Sequence, residues 1–167
     1  MKKSDCLPFI FLISTTFAMA QNAATPTKPV LVEYGQDVTL AMAQKLVAAA
    51  RVESGNNGYT MAIAIVDTGG NLVAFEKMDN TQVGSIEIAM SKAKTANNFK
   101  RSTKVLEDAI AAGGVGLRLL AVPEMLPLEG GEPIMVNGKI IGAIGLSGMQ
   151  SSQDGAVARA ALAAVIK

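Results

Sequence analysis

EGGEPIMVNGKIIGAIGLSGMQSSQDGAVARAALAA, residues 129–164, is the stretch whose reading decides the fold. Residues 133–136 are a short apolar run. Asn137-Gly138 follows, and that pair signals a two-residue hairpin turn, because both central positions must take φ > 0. Residues 139–147 form a second β-rich run, broken by Gly142 and Gly145. Ser151, Ser152 and Asp154 then offer side-chain oxygens to cap a helix carried to the C-terminus on Val157, Ala160, Ala161, Ala164 and Val165. A hairpin, a glycine-rich corner and a capped helix thus form one continuous block. The rest of the chain supplies further strands for that sheet and helices to cover it.

Working outward, residues 117–122 read as another strand, closed by Pro123, and residues 126–129 as a short extended piece. Gly113-Gly114-Val115-Gly116 ends a helix over residues 104–112 that Thr103 can cap; it lacks the spacing of a dinucleotide fingerprint. Before it, a helix over residues 82–99 buries Val83, Ile86, Ala89, Met90, Ala93 and Ala96. Small residues there suit close approach to a sheet or to a neighbouring subunit. Glu87, Ser91, Lys94, Thr95 and Asn98 fall near the opposite face, with Lys92 between the two.

MAIAIV, residues 61–66, is a continuous apolar run that suits a central strand covered on both faces, and residues 72–78 pair with it as a hairpin. Asp67 and Asn71 in the connecting turn admit a ligand-binding reading, but turn residues bonding their own backbone account for them better. A helix over residues 40–54, capped by Thr39, carries Leu40, Ala43, Val47 and Ala50 on one face. No long crossover separates the paired strands. The expected architecture is α+β, an antiparallel sheet with helices packed on it in a profilin-like layering.

The 167 residues suffice for one domain with a real core. Residues 1–20 stand apart from it: Lys2 and Lys3, an apolar run over 7–17, then Ala18-Met19-Ala20. That order reads as a secretory signal peptide cleaved before Gln21, with a buried N-terminal strand or anchor as the competing reading. Residues 21–38 read as a flexible leader and residues 39–167 as the single domain. Cleavage removes the one cysteine together with Lys2, Lys3 and Asp5, leaving a neutral chain with thirteen basic and thirteen acidic side chains. A cysteine-free periplasmic or secreted protein has no disulfide, thiolate metal site or thiol nucleophile. The apolar run is too short for a stable membrane anchor, and no basic block marks a nucleic-acid partner.

There is no histidine, which removes His-based triads and the commonest metal and haem ligand. The methionines outside residues 1–20 are scattered and read as core filling. What remains is a set of polar residues beside glycine-rich backbone: Lys92, Lys94 and Thr95 on one helix, Arg101 and Thr103 past its end, Glu129, Gly130 and Gly131 before the hairpin, and Asp154 in the last helix. Cations beside free backbone N–H groups could hold a carboxylate or a propionate. The other reading has Lys92 and Arg101 pairing with Glu107, Glu129 or Asp154 to fix helix ends.

Three segments resemble a known family. MAIAIVDTGGNLVAFEKMD (61–79), SIEIAMSKAKTANNFKRSTKVLE (85–107) and LPLEGGEPIMVNGKIIGAIGLSGMQSSQD (126–154) match, in order, the patterns of the GlcG/HbpS-like haem-binding proteins. One departure is Ser102, where the family usually carries proline. The resemblance implies a five-stranded antiparallel sheet flanked by helices, assembly as a homo-oligomer and, in some secreted members, haem binding. With no histidine, an iron ligand would have to come from Tyr34, Tyr59, a methionine, a lysine, Thr95 or Thr103. The leading expectation is a periplasmic or secreted protein that binds haem, another tetrapyrrole or a small anion, with no catalytic residue assigned. An enzyme on a small organic acid, with Lys92 as base or electrophile beside Glu129 or Asp154, is one alternative. An oligomeric accessory protein without a small ligand, packing through Ala89, Ala93 and Ala96, is the other.

Overall fold

The computed structural model describes residues 31–166; the expected signal peptide and the first part of the expected leader, through Val30, lie outside the described residues. In chain order the elements are α1 (Leu40–Asn56), β1 (Ala62–Val66), β2 (Leu72–Lys77), α2 (Ser85–Asn98), α3 (Thr103–Ala111), a 3₁₀ helix (Gly114–Ala121), β3 (Gly131–Val136), β4 (Lys139–Ser147) and α4 (Ser151–Val165). The strands form one antiparallel sheet in the order β2-β1-β4-β3. Two hairpins meet along β1 and β4. The β3–β4 turn places Asn137 at φ 50° and Gly138 at φ 74°, as its sequence demands. In the β1–β2 turn the Asp67 carboxylate accepts the Asn71 N–H at 2.8 Å, so these residues serve their own backbone.

Helices cover both faces of the sheet, and the two faces differ in kind. Ile63 and Ile65 of β1, with Ile134, Ile144 and Leu146, pack against α1 and α4 in a core of large aliphatic side chains. Each such side chain, fully buried, contributes about 1.5–3 kcal/mol. The alternate residues Ala62, Ala64 and Val66 face Ala89, Ala93 and Ala96 of α2. That layer is held by closeness. A Cβ added at Gly145 would collide with the Ala89 carbonyl oxygen and lie 2.9 Å from the Ala93 Cβ. The alanine stripe is therefore covered by this chain's own sheet and is not free to pack a second subunit.

Several expectations need correction. The sheet has four strands among the described residues, not five. The expected strand at 117–122 is instead the 3₁₀ helix. The chain turns back onto α3 so tightly that a Cβ at Gly116 would overlap the Ala109 carbonyl, and the segment packs there, away from either sheet edge. Val83 lies before α2 begins and is exposed, and Leu40, the first residue of α1, is also exposed. Ser102, not Thr103, caps α3, accepting the Lys104 N–H. Gln150 and Gln153 form a reciprocal capping box at the start of α4, in place of the expected serines.

β1 pairs with β4 only from Ala143 onward, which leaves the near end of β4 unpartnered on that side. Residues 33–35 fill the gap with a single parallel bridge, Tyr34 to Ile140. Among the described residues no helix is long and apolar enough to cross a membrane.

Candidate functional site

The residues singled out from the sequence divide into an inner and an outer set. Lys92 and Asp154 form the centre of the inner set. The Lys92 ammonium donates to Asp154 Oδ2 at 2.8 Å, and each side chain is only 2% exposed. Lys92 belongs to the helix on one face of the sheet and Asp154 to a helix on the other. They meet because the chain between them has no side chains: a Cβ at Gly130 (φ 127°) would lie 2.9 Å from Lys92 Nζ and 2.9 Å from Asp154 Cβ, and one at Gly131 would strike the Lys92 carbonyl.

Asp154 stands in the first turn of α4, where the helix N-terminus favours a carboxylate, and its second oxygen accepts the Met149 N–H at 3.0 Å. Burial pushes its carboxyl above the ordinary value. The Lys92 ammonium and the Met149 and Gly148 N–H groups pull against that.

The other inner residues hold backbone. Thr103 Oγ1 accepts the Gly131 N–H at 2.9 Å and donates to the Gly131 carbonyl at 3.3 Å. Thr95, expected on the outer face of α2, is buried because its hydroxyl accepts the Leu126 N–H at 2.9 Å. The Glu129 N–H donates to Glu107 at 2.6 Å, and the Glu129 carboxylate accepts from Arg159 at 2.9 Å. The outer set is smaller. Lys94 and Arg101 are exposed, and the Arg101 Nε donates to the Phe99 carbonyl at 2.9 Å, so Arg101 does not join the cluster.

Arg159 escaped sequence reasoning. Its guanidinium spans Glu129 and Glu132 (2.9 and 3.0 Å), while Ser102 Oγ donates to the same Glu132 oxygen at 2.9 Å. Desolvation lowers its pKa, but the two carboxylates more than offset this and raise it overall. The signal was present: after Asp154, Arg159 is the one charged residue in a helix built of small and aliphatic residues.

Several open clefts mark the surface of the described residues. One of 370 Å³ lies between α1 and β2, and one of 410 Å³ adjoins it beyond Arg51 and Glu76. A 300 Å³ apolar groove runs between Pro133 and Met135 of β3 and Leu162 of α4. A polar cleft of 360 Å³ lies over Glu129, between Lys104 and Glu107 of α3 and Gln150 and Ser151 at the start of α4. Lys92, Thr95, Thr103 and Asp154 line none of them. No group of three or more carboxylates that could hold a metal ion is found among the described residues.

Comparison with known proteins fits this architecture. A model of the HbpS-like family, described as "haem degrading protein HbpS-like", matches residues 38–163. Protein GlcG of Escherichia coli K12 is 38% identical over 106 residues, 64% of this chain and 78% of GlcG. A double mutant of Streptomyces reticuli HbpS superposes with a TM-score of 0.73 at 28% identity, covering 87% of this chain and 99% of HbpS. A crystal structure of a PduOC:haem complex superposes with a TM-score of 0.70 at 26% identity, covering 78% and 99%. Motif, fold and extent of match agree: the chain belongs to the HbpS-like family.

Proposed function

We propose that this protein is a periplasmic or secreted binder of haem or a related tetrapyrrole, and that it acts as a homo-oligomer. Its likeness to HbpS and to a haem-bound relative supports the ligand class. The n-region, apolar run and small-residue site of residues 1–20 support export. The observation that carries the reading is the arm formed by α3 and the 3₁₀ helix. Val105, Val115, Leu117 and Leu120 are all at least half exposed there, and no residue of Gly114–Ala121 is buried. Lys104 and Arg118 lie on the same arm. Apolar surface beside cations matches an apolar macrocycle with anionic propionates.

The side chains fit the macrocycle better than they fit the iron. The hydroxyls of Tyr34, Tyr59, Thr95 and Thr103 each already hold a hydrogen bond. Met135 and Met149 carry the exposed thioethers among the described residues, the soft donors open to solvent. Lys104 and Arg118 on the arm, together with the exposed Lys94 and Arg101, are the cations offered to the propionates. Lys92, Thr95, Thr103, Glu129, Gly130, Gly131 and Asp154 form the frame that holds the surrounding backbone. Bound haem would supply an iron centre whose ligand set and exposure the protein controls. Turnover at Lys92 has less support, because its ammonium is enclosed in the ion pair with Asp154.

Haem titration of the purified chain tests the reading. The expected result is a saturable shift of the Soret band at stoichiometric haem, co-eluting with an oligomer on size exclusion and weakened in a Lys104→Ala/Arg118→Ala variant and in a Lys94→Ala/Arg101→Ala variant. A flat titration overturns it. Mass spectrometry of the protein from fractionated cells should find Gln21 as the first residue.

A further inference from the structure

We infer that the cleft between α1 and β2 is a second ligand site, separate from the proposed haem surface, and that it takes a small zwitterion with an aliphatic body, the chemistry of an aliphatic α-amino acid. The cleft exists because β2 is an edge strand and its cover is thin. Ala48 of α1 and Ala74 of β2 stand where larger side chains would fill the gap. Leu40, Val47 and Val73 supply apolar wall. The 370 Å³ volume lies within the range of small-molecule sites.

The head-group chemistry lies at the junction with the adjoining cleft, where Arg51 and Glu76 line both cavities. Their ion pair is long, 3.5 Å, and the side chains are 55% and 31% exposed. Such a pair has little to lose when a ligand enters. A ligand with one charge would be drawn to one partner and repelled by the other. A zwitterion satisfies both: its carboxylate takes the Arg51 guanidinium, its ammonium takes the Glu76 carboxylate, and its aliphatic body lies along Val47 and Val73. Gln44, on the α1 wall of the same cleft, adds an amide that can donate or accept.

Amide NMR titration of the full chain tests this with three probes: L-leucine, isocaproate, which lacks the ammonium, and isopentylamine, which lacks the carboxylate. The expected result is saturable shifts at Gln44, Ala48, Arg51, Ala74 and Glu76 with leucine, and binding of each singly charged analogue weaker by about tenfold or more. Arg51→Gln should remove the preference for leucine over isopentylamine, and Glu76→Gln the preference over isocaproate. Both variants should keep the haem-induced Soret shift of the unmodified chain, so failure here is distinguishable from failure of the haem reading. Absence of saturable shifts with leucine overturns the inference. So does equal binding of the three probes, which would mark an apolar crevice with no head-group recognition.

Discussion

Two ion pairs in this molecule join the same kinds of group and do opposite things. Lys92 and Asp154 are almost wholly enclosed and 2.8 Å apart; Arg51 and Glu76 are open to water and 3.5 Å apart. The enclosed pair ties helices from opposite faces of the sheet through a gap that only glycine leaves open. The open pair stands at the mouth of a cleft. Burial, not charge type, decides which pair holds structure and which is available to a ligand. Desolvated charges must keep their partner, whereas solvated ones exchange it at little cost.

The largest expected effect breaks the enclosed pair from one side. Lys92→Met leaves the Asp154 carboxylate buried without a counter-charge and should cost about 3–5 kcal/mol in denaturant melts at neutral pH. The double variant Lys92→Met/Asp154→Leu should recover most of that loss, since an apolar pair of similar size removes both charges. A double variant as unstable as the single one would show that the pair does more than neutralise itself.

Next in size is Gly145→Ala. It should cost about 1–3 kcal/mol by forcing α2 off the sheet, a shift visible as loss of thermal stability. Ile144→Val, on the other face, should cost only about 0.5–1.5 kcal/mol.

A smaller effect is pH-dependent. The folded pKa of Asp154 is raised, so the native state holds its proton more firmly than the unfolded chain does. Its contribution to stability is complete below the ordinary carboxylate value of 3.8 and is lost as pH rises through the folded value. Stability plotted across that window should therefore fall more steeply with rising pH in the unmodified protein than in the Lys92→Met/Asp154→Leu variant. Smallest of all, Arg51→Gln should change stability by no more than ~1 kcal/mol. A larger loss would mean that the open pair is structural after all.

Local patterns were legible in the sequence where local physics decides. Asn137-Gly138 signalled a tight turn, MAIAIV suited a strand covered on both faces, and the alanine stripe of α2 suited close packing. The failures share one cause. Residues 117–122 carry the composition of a strand, but the contact of Gly116 with α3, a tertiary fact, makes them a 3₁₀ helix. Lys92 stands at helical spacing from Ala89 and Ala96, but its charge argues against burial. Its fate depends on Gly130 and Asp154, far along the chain, and the reading in which it pairs with Asp154 is the one the geometry bears out. Arg101 sits on the wrong side of a turn to join it. The Arg51–Glu76 cleft was invisible because it is a shortage of side-chain volume between two elements, and no single residue encodes a shortage.

The two tyrosines carry a practical consequence. Tyr34 fastens the chain ahead of α1 to the last turn of α2, through its hydroxyl on the Asn97 carbonyl and the Lys100 ammonium over its ring. Tyr59 receives the Gln153 amide at the cap of α4. The chain has no tryptophan to drain their emission, so these two rings are built-in fluorophores at separate stations. Paired Tyr→Phe variants would assign the emission of each. One would then report release of the leading segment and the other loosening of the last helix, and a bound porphyrin would quench them according to its distance from each.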